Sequence, residues 1–377
     1  LMPGLVAADS RYGAGFASGR TADPGVLAVD NFDPYTTFHG AVTNGVTTLY
    51  MAPARGRLIA GQGAVVKSAG APEARVLKSS GMLHGSISDE ARRTPGYWEP
   101  RVPATVDVGL GVEAPQLPRT TMGAILALEE LLRFASGDDT LAPEYGAVVG
   151  RELTAALRAN ATWRMGAETE GEVRALLEFF AANRLELVLD GASGAQALAA
   201  VIAKAGVPVI VRPTYRGGAD IGKSLDAQWP DNGLVAALLA AGVKVAVAAP
   251  VAAGSDDLLF GLALAIRGEV DPNVAFHTIT VNAAEVLGVA DRVGSLAPGK
   301  DADFAVFSSP PLTGGGSPIA TWIDGDEVWN LQRDALRLAQ YQAERAGQST
   351  SVARVVPSTV LSVEELHLGD GHVLAPG

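Results

Sequence analysis

The chain has 377 residues, 48% of them hydrophobic and 19% charged, with a formal net charge of −12 and no cysteine. This is enough apolar material for one large domain with an appendage. The acidic balance argues against a surface built for nucleic acid or an anionic membrane, and the lack of cysteine excludes disulfides and thiolate chemistry.

Leu5-Val6-Ala7-Ala8 reads as a short apolar strand, followed by a polar loop to about residue 33. Residues 38–43 suit a helix, closed by Asn44-Gly45, and the β-branched and aromatic run 46–52 suits a buried strand. A Gly-rich loop at 61–63 leads into a strand ending at Lys67, and 83–87 suits another strand. Residues 95–118 are Pro-rich and read as a surface insertion. Residues 121–134 form an amphipathic helix with a threonine cap and Glu129-Glu130 on its wet face.

From about residue 150 the alternation is regular. Helices are expected at 152–159, 170–182, 196–205 and 234–241, and strands at 162–165, 185–189, 207–211 and 243–249. Helices at 257–267 and 274–287 close the set. Short apolar strands alternating with helices mean βα units and a parallel sheet, and eight such units fit this length. On periodicity alone a doubly wound sheet is the other candidate. The apolar run 233–254 is broken by Gly242, Lys244 and Pro250, so it reads as a helix and a strand rather than a membrane span. A soluble protein without a membrane span is expected. The opening Leu1-Met2-Pro3-Gly4-Leu5 reads like the interior of a domain, so a preceding segment is expected, and with it any targeting signal. After residue 293 come Gly, Pro and short strands, with a hairpin turn at Asp324-Gly325. A solvated helix is expected at 332–346, then a linker and a strand-like tail.

One stretch is specific. Val281-Asn282-Ala283-Ala284-Glu285-Val286-Leu287-Gly288 runs on through Asp291-Arg292-Val293-Gly294-Ser295-Leu296-Ala297-Pro298-Gly299-Lys300-Asp301-Ala302-Asp303-Phe304-Ala305-Val306-Phe307. It resembles the C-terminal signature of the amidohydrolase superfamily. Residues 44–50 and 61–67 resemble the imidazolonepropionase-related branch. The resemblance implies an α/β fold. Residues 1–292 would form a (β/α)8 TIM-type barrel and 293–331 the C-terminal part of a small β-sandwich. Residues 332–377 would hold a helix, a linker and strands that either complete this sandwich or open that of a following domain in a tandem protein.

The same resemblance locates a metal site. Members of the family hold one or two divalent metals, such as zinc, with a His-x-His pair after strand 1, one histidine each at the ends of strands 5 and 6, and an aspartate ending strand 8. The metal lowers the pKa of a bound water, and the aspartate takes its proton. In this sequence those five positions read Asp9, Arg11, Gly166, Asp190 and Pro250. Glycine and proline offer no side-chain ligand, and Arg11 is a fixed cation. No metal or other cofactor is therefore expected. Asp9, Glu168 and Asp190 are candidates for a rebuilt carboxylate site. The plainer reading of Asp9 is an ion pair with Arg11 or another barrel arginine. Ser255-Asp256-Asp257 reads as a helix cap rather than a shifted aspartate. The histidines, His39, His84, His277, His367 and His372, form no ligand pair in the sequence, and His84 is the one nearest an expected strand end. Neither a nucleophile-elbow triad nor a phosphate loop is visible.

Three functions follow. The first is a non-catalytic amidohydrolase-like domain, a structural or regulatory partner to an active amidohydrolase domain or subunit or to a second copy of itself. The second is an atypical hydrolase of C–N bonds in cyclic amides that uses the rebuilt carboxylates. The third is a small-anion binding module anchored by Arg11.

Overall fold

The structure, a computed structural model, describes residues 1–10, 12, 21–53, 56–92, 118–141, 146–213, 233–249, 258–266, 270–312, 316–345, 366–367 and 373–374. The expected insertion at 95–118 (apart from Pro118), the linker after 346, Arg11, Pro250, Ser255-Asp256-Asp257 and His372 lie outside the described residues.

The fold is α/β. β1 (Met2–Pro3), β2 (Leu5–Ala7), β3 (Val46–Met51), β4 (Ile59–Gln62), β5 (Ala64–Lys67), β6 (Val76–Lys78) and β7 (Leu83–Ser86) occupy the first part. β8 (Trp163–Ala167), β9 (Leu187–Gly191), β10 (Val209–Val211) and β11 (Val245–Val247) follow, with helices between them. β7 to β11 run parallel in sequence order, and β4 joins β7 antiparallel. A second sheet has the order β2-β3-β5-β6. Such parallel strands are apolar on both faces because helices cover one face and the molecule's interior covers the other. Leu187, Leu189, Val209, Val211, Val245 and Val247 pack towards the helices. Val6, Tyr50, Val65, Val188, Ile210 and Ala246 form a separate inner cluster. This alternation sets which side chains meet at the C-terminal strand ends.

Two seams connect the sheets. The run 59–67 serves both, as β4 against β7 and as β5 against β3, and changes sheet at Gly63. A Cβ at Gly63 would lie 1.9 Å from the Tyr50 hydroxyl, so only glycine fits there. The second seam is Thr278-Ile279. The Val247 N–H donates to the Thr278 carbonyl at 3.0 Å, and the Val6 N–H donates to the Ile279 carbonyl at 2.8 Å. This seam corrects the sequence expectation of one helix over 274–287. Pro272–His277 and Val281–Leu287 are separate helices because the residues between them spend backbone bonds on β2 and β11. The antiparallel β3/β5 and β4/β7 pairs likewise depart from a uniform βα repeat.

A third, antiparallel sheet has the order β1-β12-β13-β14, with β12 (Phe304–Phe307), β13 (Pro318–Ile323) and β14 (Asp326–Asn330). Asp324 and Gly325, at φ +54° and +85°, make the tight hairpin between β13 and β14. β15 (Leu366–His367) and β16 (Val373–Leu374) pair with each other. Among the described residues no helix is long and apolar enough to cross a membrane.

Candidate active site

The inner positions of β9 and β10 change from apolar (Val188, Ile210) to charged (Asp190, Arg212) towards the C-terminal strand ends, whereas β8 carries charge on both sides of Gly166, at Arg164 and Glu168. Arg164 and Glu168 come from β8 and the residue just beyond it, Asp190 from β9, and Arg212 from just beyond β10. The pairing Gly166↔Asp190 and Ile210↔Asp190 brings these side chains together. From just beyond β2 the chain adds Asp9, and from β7 His84.

Arg164 is the centre. It is fully buried, and its Nε donates to Asp190 Oδ2 at 2.8 Å. Its Nη1 donates to the Ala8 carbonyl at 2.7 Å and its Nη2 to Asp9 Oδ1 at 3.3 Å. The guanidinium lies 4.6 Å from the centre of the Tyr50 ring, a stacking arrangement that arginine favours over lysine. Burial pushes the Tyr50 hydroxyl up to about 12, so it stays protonated. A second guanidinium, Arg212, places Nε 3.0 Å from Asp190 Oδ1. His84 Nε2 lies 3.8 Å from Asp190 Oδ2.

Glu168 is differently placed. Its side chain is 39% exposed, and Arg212 Nη2 lies 3.5 Å from its Oε1. The Ser193 hydroxyl donates to its Oε2, and the Ser193 N–H donates to the same oxygen at 3.4 Å. Burial of the carboxylate end, with the Asp190 charge adding to it and Ser193 opposing it, raises its pKa to about 7. Beneath it, Glu172 accepts from the Glu168 and Thr169 N–H groups at 2.9 and 3.1 Å and pairs with Arg92 at 2.6 Å. This capping box fixes the start of the helix Glu170–Asn183 and so the base of Glu168.

Of the residues expected from the sequence, Asp9, Glu168 and Asp190 converge, and Arg164 with Arg212 stands among them. Gly166 also lies here, but a Cβ on it would meet Ser86 Oγ at 2.6 Å and Ser86 Cβ at 2.9 Å, so a histidine there would need Ser86 to move. His39 is exposed and His277 is the last residue of the helix Pro272–His277. The sequence reading missed Arg164, Arg212, Tyr50 and Ser193. The signal was present for the arginines: a lone charge inside Trp163-Arg164-Met165 or after Val209-Ile210-Val211 is an unusual residue for a buried strand. As a metal seat the donor set is poor. Asp9 and Asp190 already share the Arg164 guanidinium, and among the described residues His84 is the imidazole at hand.

A second set of carboxylates has a metal-like arrangement. Asp301, Asp303 and Asp324 offer oxygens within 4.8 Å of one another. The Lys67 ammonium sits among them, at 2.6 Å from Asp301, 3.0 Å from Asp303 and 2.6 Å from Asp324. Burial pulls Lys67 down, but the Asp303 charge and the three carboxylate bonds outweigh it and hold the ammonium above its ordinary pKa. The chain's own cation takes that seat and ties β5 to the β12–β13 sheet.

Residues 167–328 match the amidohydrolase family model. An amidohydrolase of Hapsidospora irregularis, tasK, is 33% identical over 98 residues, which is 26% of this chain and 10% of that protein. The chain thus spans about a tenth of that relative's length. Among solved structures, an amidohydrolase from Thermotoga maritima MSB8 superposes with a TM-score of 0.72 at 24% identity, covering 87% of this chain and 86% of its own. A prolidase solved with N-methylphosphonate-L-proline reaches a TM-score of 0.50 at 17% identity, with 87% and 86% covered. The chain therefore carries an amidohydrolase-like domain, and its fold neighbours include an amidohydrolase.

Proposed function

We propose that this amidohydrolase-like chain, read as an imperfect (β/α)8 barrel over residues 1–292 with part of a β-sandwich after it, has lost the family's metal site. It serves as a structural or regulatory partner to an active domain, subunit or second copy, and it does not run the metal-dependent reaction. One observation carries this reading: Arg164 holds Asp9 and Asp190 together where the resemblance calls for a metal. A divalent ion added beside two guanidiniums would meet strong repulsion, and the glycine at 166 gives it no compensating ligand. The two seams, with Thr278-Ile279 bonded to both β2 and β11, support the barrel reading. The test is elemental analysis of the purified protein together with melting in chelator. The expected result is less than stoichiometric metal and an unchanged melt; bound zinc with hydrolysis of a cyclic amide would overturn it.

A second reading is favoured by Glu168: the site retains metal-free acid–base chemistry on C–N bonds. Asp9 and Asp190 are committed to arginines, whereas Glu168 is partly exposed and has a pKa near neutrality, the range in which a general base works best. Glu168→Gln should then abolish any amide turnover, and turnover that survives it would exclude this version.

A further inference from the structure

The turn after β9 was not among the candidates read from the sequence. Gly191-Ala192-Ser193-Gly194-Ala195 leaves the strand through two consecutive residues at positive φ, Gly191 at +93° and Ala192 at +55°. It then enters the helical run Gln196–Leu198 and Ala199–Ala205. A non-glycine residue at positive φ has an energetic cost, and such turns cluster where a side chain must be presented. This strand–turn–helix passage places Ser193, half-buried, beside the C-terminal strand ends where reactive groups of this architecture gather. The turn is also pinned: the Ala192 N–H donates to the Ala167 carbonyl at 2.6 Å and the Gly194 N–H to the Glu168 carbonyl at 2.7 Å.

Two groups with complementary chemistry meet on one carboxylate. The Ser193 hydroxyl donates to Glu168 Oε2, and Arg212 Nη2 stands 3.5 Å from Glu168 Oε1. Glu168 is itself held from below by Glu172 and Arg92. We propose that Ser193 is a nucleophile, Glu168 its general base and Arg212 the cation that meets the developing oxyanion, and that the substrate is a small carboxylic amide. This rests on the second reading above and adds the group that forms the covalent bond.

The step balances without a metal or redox partner. Ser193 Oγ bonds to the carbonyl carbon while its proton passes to Glu168 Oε2, and the carbonyl π pair moves onto oxygen facing Arg212. When the pair returns, the C–N bond breaks and Glu168 gives its proton to the leaving nitrogen. Water then repeats the sequence on the acyl-serine, so that amide and water become acid and amine.

The test uses the full chain and a tagged fluorophosphonate, which phosphonylates activated serines. The expected result is one adduct, mapped to the peptide holding Ser193, absent in Ser193→Ala and formed about a hundredfold more slowly in Glu168→Gln. Both variants keep side-chain volume close, and their melting curves show whether the fold is intact. No adduct, or an adduct elsewhere, on a protein that melts as the parent does would overturn the proposal. Release of nitrophenolate from p-nitrophenyl acetate separates this from the reading beneath it. Turnover that persists in Ser193→Ala yet falls in Glu168→Gln removes Ser193 and keeps the carboxylate; no turnover and no adduct in the parent protein removes both.

Discussion

Two of the buried cations, Arg164 and Lys67, join segments distant in sequence in different ways. Arg164 divides its donors among Asp190, Asp9 and the Ala8 carbonyl and lies against the Tyr50 ring. Lys67 is a point charge ringed by three aspartates. A guanidinium is planar, so its partners must lie in fixed directions, and it sets their orientation. An ammonium accepts partners from any side, so it gathers charge without orienting it. The Lys67 cluster has the geometry of a cation cage and ties β5 to the third sheet, whereas the Arg164 network joins β2, β8 and β9.

The contrast can be broken most forcefully at Lys67. Lys67→Met leaves Asp301, Asp303 and Asp324 facing one another with Arg292 as remaining partner of Asp301. Breaking a buried pair this way is expected to cost about 3–5 kcal/mol, read by urea unfolding. In Lys67→Ala, added calcium should restore part of the melting temperature, because hard oxygen ligands suit that ion. The same addition to Arg164→Ala should restore nothing, and equal rescue of both would erase the distinction drawn above.

Arg164→Lys keeps the charge and removes the fork. It is expected to cost about 1.5–3 kcal/mol, the worth of hydrogen bonds to charged groups, in the same unfolding assay. Gly191→Ala sits at φ +93° with its Cβ 2.3 Å from Glu168 Oε1, so it strains the turn and displaces the carboxylate. The expected loss is about 1–2 kcal/mol, with any Ser193 labelling lost as well.

The smallest effect is a pH dependence, reduced by solvent screening because the Glu168 side chain is 39% exposed. Glu168 has a folded pKa of about 7 against an ordinary 4.5, so below pH 4.5 both states hold the proton and it contributes no slope. Between those values the unfolded chain has released its proton while the folded chain retains it, and stability falls as pH rises. Glu168→Gln should remove that part of the slope, measured by melting across the window; a slope unchanged by the substitution would place the carboxylate in open solvent.

Much of this architecture was legible in the sequence. The alternation from residue 150 fixes β8 to β11 because buried parallel strands are short apolar runs and the helices between them carry a 3.6-residue period. The signature from Val281 to Phe307 appears as a helix ending at Gly288, which has φ +69°, and then β12. Three things were not legible. The break at 278–280 has no local cue, since the Thr278 and Ile279 carbonyls bond strands distant in sequence instead of continuing the helix. Asp301, Asp303 and Asp324 look like turn residues, and their convergence on Lys67 depends on tertiary packing. Arg164 was passed over because a period-based reading treats a charge in a strand as noise, although here that charge organises the site.

The Thr278-Ile279 seam has a consequence for how the chain folds. Its bonds join Val6 to a segment that follows β2 to β11 and the helices among them. Closing so long a loop is entropically costly, and contacts of this separation slow folding. β7 to β11 can assemble as they are synthesised, but the edge of β2 that does not pair with β3 stays open until residue 279 has emerged. The interval before that is when the edges of β2 and β11 are open to another chain.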